Sequence, residues 1–238
     1  MAKVPSENNT GSQGFGETFF SFFRELADNN SKEWFEANRT RYKQDVQAPL
    51  SAFVEAMAPH IHAISPHFNA DPRPNGKTIF RIHRDVRFSR DKRPYKEHAA
   101  CHFRHAGEND VHGPGFYVHL APSHVGLGAG IWMPAPSSLE MIRRKIESDA
   151  KGWQKLRDLP GMASDMERME VERLKNPPRG FAKDHPHVED LKRKSFIAMR
   201  EFGTGEAAGA DFISLAAGYY REAAPLNAWI SKALGLPF

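Results

Sequence analysis

One cysteine in 238 residues leaves Cys101 without an intramolecular disulfide partner and excludes any cysteine-based metal cage. No apolar run reaches the roughly 18 residues a membrane-spanning helix needs, and residues 1–16 hold no apolar core of a signal peptide. The 12 histidines fall into no His-Glu-x-x-His or comparable spacing, so a zinc enzyme has no support and no residue is assigned to a metal. Ser89, between Phe88 and Arg90, lacks the surroundings of a nucleophile elbow. These absences point to a soluble, cytoplasmic protein with no membrane partner, and they name no cofactor.

Acidic residues are also scarce where basic ones are densest. From Lys77 to Arg104, nine Lys and Arg stand against Asp85, Asp91 and Glu97, a local net of +6 in a chain whose total is +4. The basicity behind the pI of about 9.2 is therefore local. Such a concentration of like charge is costly unless something anionic faces it, inside the protein or outside.

The remaining composition fits a full hydrophobic core. Met1 to Gly16, rich in Ser, Asn, Gln and Gly, reads as a disordered tail, and residues 17–238 as a single α+β domain. Phe15, Phe19, Phe22, Phe23 and Leu26 recur at helical spacing, and a second helix opens at Ser31. Leu50, Phe53, Val54, Met57, Ile61 and Ile64 make a third apolar stripe, with Pro49 suited to a first turn and Pro59 expected to kink it. After the loop at 71–76 the period changes to 2. Residues 78–83, 98–103, 116–120 and 125–132 alternate, predicting a mainly antiparallel sheet. Ser137 with Glu140 and Ser164 with Glu167 read as capping boxes. Residues 195–202 are expected to form a last strand, and helices after Phe212 and after Pro225 to close the chain.

Residues 81–95 read Arg-x-x-Arg-Asp-x-Arg-Phe-x-x-Asp-Lys-x-x-Tyr. This stretch resembles the signature of a family of conserved hypothetical proteins of about this length, a domain of unknown function found in bacteria and fungi. The resemblance extends to the segments 29–35, 128–134 and 177–181, and to Lys194-Ser195-Phe196, and so covers nearly everything after residue 16. It implies no activity, which has to be argued from the residues.

Pro122-Ser123 lies between two alternating runs, so an even loop sets Leu120 opposite Val125, His119 opposite Gly126 and Tyr117 opposite Gly128. One face then carries Phe116, Val118, Leu120, Val125, Leu127, Ala129 and Ile131 as core. The other has a floor of Gly126, Gly128 and Gly130 flanked by Tyr117, His119 and Trp132, and strand glycines mark close approach of a backbone or ligand. With Phe80 and Ile82 pointing one way and Arg81 and His83 the other, the polar set is expected to share one concavity beside the loop of Arg84 to Lys96.

Two readings of the cluster stand side by side. Asp85 and Asp91 pair with it internally and pin a loop, or its arginines bind an oxyanion through planar bidentate donors, with Lys92 or Lys96 as point charges. Gly126-x-Gly128-x-Gly130 is no dinucleotide fingerprint, because no helix begins immediately afterwards. Asp184-His185-Pro186-His187 reads more simply as a helix start than as a metal site. Cys101 falls on the core face, where a free cysteine behaves as a small hydrophobe.

The leading expectation is a basic, aromatic-rimmed pocket for a small phosphorylated or carboxylated ligand, in a binding protein or an enzyme. Arg84, Arg87 and Lys92 would neutralise the anion, with Arg81, His83, Tyr95 and Lys96 beside them. Tyr117, Gly128 and Trp132 would form the wall and floor. His119, a histidine whose pKa near neutrality suits proton transfer, is the candidate acid or base. The alternatives are a nucleic-acid-binding module that uses the same cluster with Phe88, Tyr95 or Trp132 as stacking platforms, and a structural or interaction protein whose cluster is an internal ion-pair network.

Overall fold

The computed structural model describes residues 14–74, 76–108 and 112–238. Most of the expected tail therefore lies outside the described residues. Phe15, however, is only 2% exposed, and its N–H donates to the Ala207 carbonyl at 2.7 Å. The chain is thus anchored in the core from that residue on.

The N-terminal third is helical: α1 (Glu17–Asp28), α2 (Lys32–Ala37), α3 (Arg39–Tyr42), a π-helical turn (Lys43–Gln47) and α4 (Ala48–Ile64). In α1 the apolar stripe buries Phe19, Phe20, Phe22, Phe23 and Leu26, each phenylalanine contributing roughly 1.5–3 kcal/mol by leaving water. Ser31 Oγ accepts the Trp34 N–H and caps α2, as the sequence predicts. Pro49 occupies the first turn of α4, and Pro59 sits within a helix that continues to Ile64.

Four antiparallel strands follow in sequential order, β1 (Ala99–Arg104), β2 (Gly115–Leu120), β3 (Val125–Ile131) and β4 (Phe196–Phe202). The expected register holds, with Leu120 opposite Val125, His119 opposite Gly126 and Tyr117 opposite Gly128. Between β3 and β4 come α5 (Pro136–Ser148), α6 (Ala150–Arg157), α7 (Met162–Arg168) and α8 (Val188–Leu191). After β4 come α9 (Thr204–Ala208) and α10 (Phe212–Ala233).

The core lies on the inner face of the sheet. Phe116, Val118, Leu120, Val125, Leu127, Ala129 and Cys101 pack with the apolar faces of α1, α4 and the first half of α10. A second cluster joins Ile131, Phe196 and Ala198 to α5, α6, α7 and the end of α10. Two side chains of α10 reach β2 directly: Tyr220 Oη donates to the Tyr117 carbonyl at 3.0 Å, and Asn227 Nδ2 to the Gly115 carbonyl at 2.9 Å.

Four local expectations are corrected. Residues 78–83 form no regular strand: the Phe80 N–H donates to Ala100 and the His102 N–H to Thr78, but Ile79 and Ile82 are both buried in the core. The chain therefore twists at Arg81, and alternation ends there. Neither serine capping box forms. Pro136, whose fixed φ suits a first helical position, starts α5 behind Ala135, and α7 starts behind Gly161 in the left-handed conformation at φ 76°. Asp184 does not cap α8, which starts behind His187. Pro225 breaks nothing, and the C-terminal segment is one 22-residue helix.

Candidate functional site

Pairing stacks three rows of residues across the outer face of the sheet. Ala100, His119, Gly126 and Glu201 form one row, His102, Tyr117, Gly128 and Met199 the next, and Arg104, Gly115, Gly130 and Ile197 the third. Over the second and third rows lies a cavity of about 390 Å³. Gly115, Gly128 and Gly130 make its floor, and Phe80, His102 and Tyr117 stand along one side. Trp132, Met169 and Met199 close the other.

Each glycine has its own reason. At Gly130, φ is 128° and a Cβ would overlap the Phe196 carbonyl oxygen; at Gly115 a Cβ would strike His102 Nε2. At Gly128 a Cβ would come within 3.1 Å of Met199 Cε and 3.5 Å of the Ala198 carbonyl oxygen, so this glycine leaves room for a flexible thioether and for the cavity above it.

Trp132 is presented by a strained turn. Met133 adopts φ 45°, unfavourable for a residue with a side chain, and its N–H donates to Ser195 Oγ at 2.9 Å. His112 Nδ1 donates to the Trp132 carbonyl at 2.9 Å. The segments 128–134 and 194–196 therefore meet here, at Gly130 against Phe196 and Met133 against Ser195.

The cavity holds neutral polar groups. Burial, helped by the charges of Arg104 and His112, pushes the His102 pKa down to about 4, so its ring is neutral at physiological pH. Burial raises the Tyr117 hydroxyl to about 12, keeping it protonated. His119 lies in an adjoining groove of about 200 Å³ that shares Tyr117, Met169 and Met199 with the cavity. Its ring centroid is 4.4 Å from that of His98 and 5.1 Å from that of His124. Burial and these two neighbours bring its pKa down to about 4, and its Nδ1 lies 3.4 Å from Tyr117 Oη. The His119 ring is thus neutral at physiological pH. Among the described residues no group of three or more His, Cys, Asp or Glu is arranged to hold a metal ion.

The basic cluster is arranged differently from the shared concavity expected of it. Arg84, Arg87 and Lys92 do not line the cavity. Asp85 accepts the Arg87 N–H at 3.2 Å and its guanidinium at 3.0 and 2.7 Å, which holds the Asp85 pKa down at about 2. Asp91 does the same for Arg93 and also receives Arg84 Nη1 at 2.7 Å. The pattern recurs at Asp71 with Arg73. Each is an Asp-x-Arg unit in which one carboxylate staples a turn. That spacing was legible in the sequence.

Lys92 Nζ donates to the Val86 carbonyl and Lys96 Nζ to the Arg81 carbonyl, the latter ammonium lying 5.2 Å from the centroid of the Phe80 ring. Tyr95 is buried, its backbone paired with the Asn30 side chain. Arg81 and His83 line a separate cleft against the N-terminal helices. Phe88 stands 96% exposed at the loop tip.

Sequence reasoning missed a buried ionic network beside the second core. Arg193, 0% exposed, donates Nε to Asp190 Oδ1 at 3.1 Å and also pairs with Glu167. Asp190 further receives Arg157 at 2.7 Å and Trp153 Nε1 at 2.8 Å.

Helices around an antiparallel sheet, with a glycine-floored cavity on its outer face, define an α+β protein. The model of the family described as conserved hypothetical protein (DUF2461) matches residues 18–229, and the chain belongs to that family. No curated protein matches it.

Proposed function

We propose that the protein binds a small organic molecule in the sheet cavity, with the apolar or aromatic body of the ligand over Gly128 and between Tyr117 and Trp132. The observation that carries this reading is the cavity itself: about 390 Å³, the size class of small-molecule sites, with apolar walls and a few convergent polar groups. Two methionines in its wall offer an adaptable surface. An acidic group on the ligand, as the charge of the chain suggests, would project out of the cavity, since no Lys or Arg among the described residues lines it. Should the protein be an enzyme, His119 in the adjoining groove is the base within reach.

The test is a thermal-shift screen pairing neutral aromatic and short aliphatic compounds with their carboxylated and phosphorylated counterparts, alongside short oligonucleotides. A ligand at a hundred times its Kd adds about 2.7 kcal/mol of stability. The expected hits lose their effect in Gly128→Ala, whose methyl crowds Met199. Hits untouched by that change would overturn the reading.

A second reading, a nucleic-acid-binding loop, is favoured by Phe88, fully exposed beside Arg87 with the guanidinium 5.8 Å from its ring centroid. It predicts oligonucleotide binding with a steep salt dependence that Phe88→Ala abolishes.

A further inference from the structure

Between the N-terminal helices and the twisted segment after Ile79 lies a cleft of about 180 Å³. Its polar lining comes from three stretches of chain: Arg39 on α3, Lys43 and Gln47 on the π-helical turn, and Arg81 with His83 from the start of the signature. No Asp or Glu among the described residues lines it. Among the described residues Arg39 is the one cation of the cleft in an ion pair, with Glu36 at 2.5 Å and both side chains more than half exposed, a kind that contributes little and exchanges readily, and Arg81 is felt at longer range by the Asp85 carboxylate. Lys43 and Arg81 form no ion pair among the described residues.

The contrast with the adjacent loop is what gives the cleft meaning. There Arg84, Arg87 and Arg93 each have a carboxylate partner. In the cleft three cations converge on one small concavity with none provided inside it. Like charges held together in this way repel unless an anion joins them. The floor is preorganised, with Phe35 5.1 Å from Tyr42 and 6.2 Å from His83 between ring centroids.

We infer that this cleft is a binding site for a small oxyanion of the phosphate class, clasped between Arg81 and Lys43 with Arg39, Gln47 and His83 completing its donors. Convergent donors from separate segments suit a tetrahedral anion, and the volume admits a phosphoryl group with a few further atoms rather than a stacked polymer. The cleft shares only Phe80 with the sheet cavity, and none of its charged donors lines that cavity.

Calorimetric titration of the full chain with inorganic phosphate and with pyrophosphate, at ionic strength held constant with chloride, tests it. The expected result is saturable one-to-one binding that weakens about tenfold or more in Arg81→Gln and in Lys43→Gln, the loss of one charge-assisted bond each. Both side chains are exposed, so folding is spared. Arg87→Gln and Gly128→Ala should change the affinity less than about twofold, the first because Asp85 already holds Arg87, the second because it alters only the sheet cavity. Two results would overturn the inference: no saturable binding of phosphate or pyrophosphate, or equal losses in Arg87→Gln.

Discussion

Asn30 and Tyr95 form a reciprocal clamp: Asn30 Nδ2 donates to the Tyr95 carbonyl and Tyr95 N–H donates to Asn30 Oδ1, both at 3.1 Å. The Tyr95 ring stacks on Phe35 with centroids 4.2 Å apart. One amide side chain thus stands in for a strand neighbour and docks the returning arm of the basic loop onto the N-terminal helices. Asn30→Ala would leave a buried backbone donor and acceptor unpaired, and is expected to cost about 1–3 kcal/mol in chemical denaturation. Asn30→Asp keeps the acceptor for the Tyr95 N–H but loses the donor to its carbonyl, and should destabilise as well.

On β3, neighbouring positions should respond in opposite ways. Leu127→Asp places an unpaired charge in the core and should abolish folding. Gly128→Ala should fold, because only the mobile end of Met199 must yield. Gly130→Ala should be far more damaging than Gly128→Ala, since its φ is positive and the Phe196 carbonyl leaves no room. Denaturation midpoints of the three variants give the ranking.

Asp190 holds together the buried network beneath α6 and α8. Removing its carboxylate in Asp190→Ala strands Arg193 without that partner in a fully buried position, and such losses cost about 3–5 kcal/mol. The melting temperature should fall sharply, while Glu189→Ala, one residue away, whose exposed carboxylate pairs with Lys192, should leave it nearly unchanged.

His102 gives a pH dependence with a definite sign. Its folded-state pKa of about 4 lies below the ordinary value near 6.5, so between those values the unfolded chain binds the extra proton. Stability contributed by the neutral ring is full above about pH 6.5 and is lost as pH falls toward 4. His119 shifts in the same direction. His102→Gln should flatten this acid limb in a series of denaturation curves from pH 7 to pH 4, and an unchanged slope would show that the ring is not desolvated.

What the sequence revealed depended on period. The alternation of residues 116–120 and 125–131 about a short turn was enough for register and for the two faces of the hairpin. Tyr117, Gly128, Gly130 and Trp132 accordingly line one cavity. Period misled at residues 78–83, because Ile79 and Ile82 both enter the core and no local signal announces the twist at Arg81. Capping motifs misled where Pro136 and Gly161 set helix starts through backbone geometry. The charge cluster was visible, but whether each arginine met solvent or an aspartate depended on turns two residues long. Arg193 left no trace, since nothing in a short polar stretch distinguishes a buried guanidinium from a surface one.

Cys101, in the middle of β1, is fully buried, and burial pushes its thiol pKa well above the usual range. Because the thiolate is the reactive species, the native sulfur should be silent toward maleimides while the fold is intact. The wild-type chain is therefore already a background-free template for site-directed labelling. A fluorophore attached through Met133→Cys, next to Trp132 of the cavity wall, or Phe88→Cys at the loop tip, would report from one known position without first removing a native thiol.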